Sequence, residues 1–278
     1  MAADRRVTRS VSGSWRLLLD DSPHEGAWNM ALDRAIQLEH AAGRSPATLR
    51  LYGWARPTVT LGRFQAIESV DVDECRAEGI GIARRFTGGR GVLHDDEVTY
   101  SVVAGLREGL PRGTTGSYRY LCQALVDAYR GLGVDADLTT RPRGSRSSGA
   151  CYLHATHADV SFGALKLSGS AQVWYRETVL QHGSFVMTRD VPREARVFQL
   201  TPQEAAIFAE STAALADLIG SVPARTAVIE ALASAFERLF AAKLEAGSIS
   251  DEEHEEAARL VPETSVPASP EAAAGVSA

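Results

Sequence analysis

The segment RRFTGGRGVLHDDEVTYSV, Arg84 to Val102, concentrates residue types suited to holding an anionic or carbonyl-bearing ligand. Arg84, Arg85 and Arg90 flank Gly88, Gly89 and Gly91, with Thr87, Val92 and His94 in the same stretch. Glycine lets the backbone approach a ligand closely, take positive φ and turn N–H groups towards an anion or a carbonyl. Arginine adds a planar fork of donors that matches phosphate and carboxylate. The cluster is not a P-loop, because no Gly-Lys-Ser/Thr follows. Nor is it a dinucleotide fingerprint, because strand-like sequence follows Gly91 where a helix is required. Two readings stay open on these residues: a ligand-binding loop, favoured by the three arginines, and an ordinary hairpin turn. His94 reads equally as a packed strand histidine or as a ligand contact.

Thiols are the second source of chemistry. Cys75, Cys122 and Cys151 are widely spaced, with no Cys-x-x-Cys, which argues against a disulfide framework and a cysteine-based zinc site and for a reducing cytoplasm. Cys75 and Cys122 fall on apolar stripes of expected helices, the usual place for a small buried hydrophobe. Cys151 lies in GACYLHA, after the polar stretch RPRGSRSSG. No metal site and no cofactor are expected.

The elements that must position these groups are legible in outline. The chain has 278 residues, 45% hydrophobic and 23% charged, with a net charge of −6, which suits a soluble globular protein and speaks against nucleic acid as main partner. No apolar run is long enough to span a membrane, and the N-terminus lacks a signal-peptide core. Residues 1–14 read as a flexible arm, 15–261 as one domain ending in alanine-rich helices, and 262–278 as a disordered tail. The first helix is expected over HEGAWNMALDRAIQLEHAAG, capped by Ser22 with Glu25 three places on, its stripe made of Trp28, Ala31, Leu32, Ala35 and Ile36. ATLRLYGW and PTVTLGRFQ read as half-buried strands joined by a turn, SVDVDECRAEG as a short helix with Cys75 inside, and TTGSYRYLCQALVDAYRGLG as a helix stopped by Gly131 and Gly133. Strands in hairpin-like pairs, without strict βαβ alternation, predict α+β: a mixed or antiparallel sheet flanked by helices.

Four stretches, in order, carry a family resemblance. EGAWNMALDRAI, with Asn29, Met30 and Asp33, TVTLGRFQ, RRFTGGRGVLHDDEVTYSV and GALKLSGSAQVWYRETVLQHGSF together resemble the lipoate–protein ligase and octanoyltransferase family, which shares its fold with biotin–protein ligases. They span Ser22 to Met187. Arg90, the acidic-Val-Thr-Tyr-Ser continuation and the position of Cys151 resemble the cysteine-dependent, LipM-type octanoyltransferases more than the ligases. Phe86 and Gly91 depart from the family pattern without removing a chemical group.

The resemblance implies a biotin/lipoate–protein ligase type of fold and a ping-pong acyl transfer. Cys151 takes octanoyl from the phosphopantetheine thioester of acyl carrier protein and passes it to a lysine of a lipoyl domain, such as the glycine cleavage H protein, without ATP. Lys166 matches the family lysine, and either favours the thiolate or orients the acyl carbonyl. Gly169, Ser170, Ala171, Gln172, His182 and Gly183 match the segments that line the substrate site, with the Arg84–Gly91 loop, Val92 and His94. An apolar slot burying about six methylenes contributes on the order of 5 kcal/mol. Arg141, Arg143 and Arg146 are candidates for docking acidic carriers. A monomer is expected. The alternatives are an ATP-dependent ligase subunit, an amidotransferase taking octanoyl from another lipoyl domain, and a non-catalytic carrier-binding protein.

Overall fold

The computed structural model describes residues 15–20, 22–139, 149–151 and 159–266, and the backbone of two short paired strands at 143–144 and 154–155. The expected arm 1–14, the side chains of Arg141, Arg143 and Arg146, and residues 267–278 lie outside what is described. In chain order the first elements are β1 (Trp15–Leu19), α1 (Gly26–Ala41), β2 (Ala47–Tyr52), β3 (Thr58–Leu61), α2 (Val72–Ala77), β4 (Gly81–Arg84), β5 (Val92–His94), β6 (Glu97–Gly105) and α3 (Thr114–Gly131). Then come β7 (Asp137–Leu138), β8 (Arg143–Gly144), β9 (His154–Ala155), β10 (Val160–Phe162), β11 (Leu165–Ser168), β12 (Ser170–Tyr175) and β13 (Thr178–Val186). The C-terminal part holds α4 (Val191–Val197), α5 (Pro202–Ser211), α6 (Leu215–Ile219), α7 (Arg225–Phe240), β14 (Leu244–Ala246) and α8 (Asp251–Thr264).

The main sheet has six strands in the order β12-β13-β6-β2-β1-β14. It is antiparallel from β12 to β2 and parallel from β2 to β14, so the fold is α+β with a mixed sheet flanked by helices, as expected. Leu121 and Leu125 of α3 and Leu232 and Phe236 of α7 share one apolar cluster with Leu49, Leu51, Val98 and Val102 of the sheet. Leu32 and Ile36 of α1 and Ala257 and Leu260 of α8 share another with Val103 and Leu180, on the opposite face. Burying a Leu or Ile fully contributes about 1.5–3 kcal/mol, so the α1 stripe alone is a large part of what holds that layer.

Four expectations change. The stretches 47–52 and 58–61 are wholly buried strands, because helices cover both faces; side chains alternate, so Leu49 and Leu51 face α3 and α7 while Arg50 is buried facing α1. Nor do β2 and β3 form a hairpin: β2 belongs to the main sheet, and β3 is the middle of a separate three-stranded sheet, β4-β3-β5. Helix α1 begins at Gly26 after Glu25, whose side chain pairs with Arg56 (2.8 Å) and caps nothing, so Ser22 is not the cap. Finally, α8 runs through Pro262 to Thr264, past the expected start of the tail, because Thr264 is buried and its Oγ1 donates to Ala27 O on α1 (2.7 Å). No described helix is long and apolar enough to cross a membrane.

Candidate functional site

The glycine segment is not a hairpin turn. Strands β4 and β5, on either side of it, do not pair with each other; β3 lies between them, so residues 85–91 must cross the end of β3. Gly62, where β3 ends, makes that crossing possible: a Cβ there would lie 2.0 Å from Gly89 O, a backbone clash with no side chain to yield. Gly89 itself has φ +94°, a conformation glycine adopts freely.

The adjacent arginines hold this crossing together. Arg84 Nη1 donates to Gly62 O (2.9 Å) and Gln65 O (2.7 Å). Arg85 is buried and donates to Thr60 O (2.7 Å), Gly88 O (2.9 Å) and Arg90 O (3.0 Å). Burial pulls its guanidinium down to about 10, with Cys151 and Tyr52 pulling the other way. In a trans peptide the N–H after a carbonyl points opposite to it. Gly88 O faces Arg85, so Gly89 N–H points away from the guanidinium, and it meets no acceptor among the described residues.

Two relays of the same make-up converge on Arg85. Arg85 Nη1 donates to Thr60 Oγ1 (2.9 Å), which leaves the threonine proton for His94 Nε2 (2.8 Å) and puts a proton on His94 Nδ1 for Glu97 Oε1 (2.8 Å). Likewise Arg85 Nε donates to Thr87 Oγ1 (3.2 Å), Thr87 to His182 Nε2 (2.8 Å), and His182 Nδ1 to Asp33 Oδ2 (3.0 Å). Asp33 also receives Arg50 Nη1 (2.9 Å) and Tyr52 OH (3.1 Å). Burial drives His182 below 6.5 despite Asp33, which keeps it neutral, as this pattern requires. Burial would raise the Asp33 and Glu97 carboxyls, yet their histidine partners and the other donors hold both below their usual values. His94 also stacks on Trp54, with ring centroids 4.2 Å apart.

Cys151 comes from a third direction. Its N–H donates to Gly91 O (2.8 Å) and Gly91 N–H to Gly149 O (3.0 Å), so the segment 149–151 is clipped to the glycine crossing like a strand. Lys166, on β11, is 3% exposed; its Nζ lies 3.8 Å from Cys151 Sγ, 3.2 Å from Cys151 O and 2.9 Å from Asp159 Oδ2. Burial works against the ammonium, but Cys151 and Asp159 outweigh it and hold Lys166 above its usual range. Cys151 itself is half-buried, and a Cβ on Gly169 would lie 3.3 Å from its sulfur.

One cleft gathers Cys151, Arg85, Gly89, Val92, His94, Gly169, Ser170, Ala171, His182 and Gly183. Met30, Tyr52, Thr60 and Thr99 complete its wall. Thr87, Arg84 and Gly91 serve it from behind through the bonds above. Gly88 and Arg90 line a neighbouring open groove, with Phe64, Gln65 and Gly149. Gln172 faces the other way, accepting from Ser117 Oγ (3.0 Å) on α3.

Residues 25–237 match the lipoyl protein ligase A/B catalytic domain. The chain belongs to that family. The octanoyltransferase LipM of Kyrpidia tusciae is 39% identical over 261 residues, covering 89% of this chain and 95% of that protein. The octanoyltransferase LipM of Moorella thermoacetica is 38% identical, covering 86% and 91%. Among solved structures, a lipoate–protein ligase A bound with ATP is 27% identical with a TM-score of 0.74, covering 90% of this chain and 95% of that one. A T. acidophilum protein with bound lipoic acid is 26% identical, also with a TM-score of 0.74 and the same coverage.

Around this cleft, the sequence reading missed Asp159, Thr60 and Tyr52, and named Met30 only as part of the family helix. Asp159 had a faint signal: it opens the strand of DVSF, and Lys166 follows in ALKL after a tight Gly163 turn, so a hairpin brings them together. Thr60 and Tyr52 had none, because strand alternation does not tell which buried polar residue meets which partner.

Proposed function

We propose that this chain is an octanoyltransferase of lipoate biosynthesis that carries the acyl group on Cys151. The observation that carries the reading is a half-exposed thiol in a cleft, 3.8 Å from a buried ammonium. The relatives named octanoyltransferase LipM, matched over nearly their whole length, support the acyl group and the reaction class.

A thiolate is the attacking form of cysteine, and an adjacent cation favours it. In the first step Sγ of Cys151 attacks the octanoyl thioester on acyl carrier protein; the new S–C bond forms as the donor C–S bond breaks, and the pantetheine thiolate takes a proton from water. In the second step the amine of a lipoyl-domain lysine forms the amide, the C–S bond to Cys151 breaks, and the nitrogen gives up its proton. Gly89 N–H, turned away from Arg85, and the Lys166 ammonium face the oxyanion of both tetrahedral intermediates. The octanoyl chain lies along the Met30, Val92 and Ala171 wall of the cleft. The enzyme works as a monomer in a reducing cytoplasm, where Cys151 stays a free thiol.

The test is an intact-mass measurement after mixing the protein with octanoyl-acyl carrier protein, without ATP, beside Cys151→Ala. The expected result is an octanoyl adduct on the parent protein, labile to hydroxylamine and absent from the variant. Modification of a lipoyl domain only with free acid plus ATP replaces this reading with a ligase. An adduct formed only from an octanoylated lipoyl domain keeps the chemistry and changes the donor.

A further inference from the structure

Lys166 stands close enough to Cys151 to act in either of two ways: as the acceptor of the thiol proton, or as a fixed cation beside the sulfur. Asp159 separates the two. Its side chain is almost wholly buried (3% exposed), with Oδ2 2.9 Å from Lys166 Nζ and Oδ1 receiving Tyr118 OH at 3.0 Å. Its backbone oxygen receives Thr139 N at 2.7 Å, and Tyr118 OH also meets Ser170 O at 3.0 Å, so the carboxylate is held between α3, β12 and the start of β10. A neutral Lys166 would take away the cation that lies 2.9 Å from this buried carboxylate, and breaking a buried pair from one side is costly. Burial works against the charge on Lys166, and Cys151 first and Asp159 next outweigh it, so Lys166 is shifted towards retaining its proton.

We propose that Asp159 is the positioning residue that fixes Lys166 as a permanent ammonium, so that Lys166 stabilises the Cys151 sulfur as thiolate, at rest and as leaving group, and accepts no proton in either transfer step. The inference rests on Cys151 as the acyl carrier. On deacylation the electron pair of the breaking C–S bond returns to Sγ, already paired with Lys166, and the proton of the new amide nitrogen leaves to water. The lysine substrate must therefore arrive as the free amine, so transfer to the lipoyl domain rises with pH while acylation of Cys151 from a thioester donor does not.

The test reads the thiol directly, as the rate of Cys151 alkylation by iodoacetamide against pH, measured by intact mass on the full chain. Asp159→Asn frees the Lys166 ammonium from its place beside the sulfur and lowers its hold on the proton by about one to three units, so alkylation is expected to slow about threefold or more at pH 7 and its profile to move to higher pH. Adding Lys166→Arg to that variant supplies a cation that stays charged without a carboxylate, and moves the profile back. Lys166→Arg alone keeps the ion pair and should retain neutral-pH alkylation that Lys166→Met loses, which carries the test if Asp159→Asn does not fold. A profile that drops at every pH without moving, or Lys166→Arg behaving like Lys166→Met, overturns the proposal. Iodoacetamide needs neither donor nor acceptor. A normal alkylation profile with no acyl adduct on the parent protein would therefore overturn the octanoyltransferase reading and leave the Asp159–Lys166–Cys151 relation standing.

Discussion

Cys122 and Cys151 are two thiols of one chain in opposite settings. Cys122 points from α3 into the main core, fully buried, where Gln181 Nε2 reaches its sulfur at 3.7 Å and burial drives its thiol far up. Cys75, inside α2, is pushed up to about 11 for the same first reason, loss of water. Cys151 keeps partial contact with solvent and has Lys166 beside it. The seat and not the residue type sets the difference: a thiol without water or a cation is a packing group, and a thiol with both has the setting that nucleophilic attack needs.

The largest expected effect is at the sulfur itself. Cys151→Ala should reduce octanoyl transfer by at least roughly 10³-fold, as loss of a covalent nucleophile does elsewhere, while its thermal midpoint stays close to the parent's; a variant that still transfers at the parent rate would erase the contrast between the two thiols. Lys166→Met comes next, with a loss of about 10²–10³-fold, the usual cost of removing one preorganised charge, read in acyl-enzyme formation. Gly62→Ala pushes the glycine crossing off β3 and should cost about 10²-fold in transfer through misplaced Gly89 and Gly91, with Cys151 alkylation less affected.

Acid sensitivity sharpens the comparison from the scaffold side. Asp33 and Glu97 are held below their usual carboxylate values, so what they contribute is present above those values and lost as pH falls through the lower folded ones. His182 resists charging in the folded chain, while the unfolded chain takes up the proton near 6.5, so stability already declines as pH drops below that point. Thermal unfolding should therefore be level above pH 7 and fall below it, by about 2–4 °C per kcal/mol lost; His182→Gln should flatten the upper limb. The smallest effect is expected for Cys122→Ala, about 1 kcal/mol of stability and unchanged octanoyl transfer. An equal loss of activity in Cys122→Ala and Cys151→Ala would mean that the thiols differ only in packing.

Much of the site was legible because glycine, arginine and cysteine are informative types. The run from Arg84 to His94 and the segment from Lys166 to Gly183 do meet at one cleft, and their order along the chain matched the family pattern. Their division of labour was not legible. Arg84 and Arg85 hold carbonyls of the crossing, and His94 and His182 are inner links of relays that end on Arg85. A guanidinium that binds a ligand and one that binds a backbone oxygen have the same sequence signature.

The fold divides the same way. Amphipathic periods determined α1 and α3 and the buried place of Cys75, because a helix must hide its apolar stripe whatever lies opposite. The glycine cluster determined that the backbone comes close to something there. Only the tertiary structure decided that this something is first of all Gly62 of β3, that β4 and β5 are separated by that strand, and that Arg50 and Asp33 are buried together. It also decided that Asp159, seven residues before Lys166, faces it. Apart from that last pair, which one hairpin brings together, these are long-range pairings, set by which sheets the strands join and which charges must leave water together, and no local period records them.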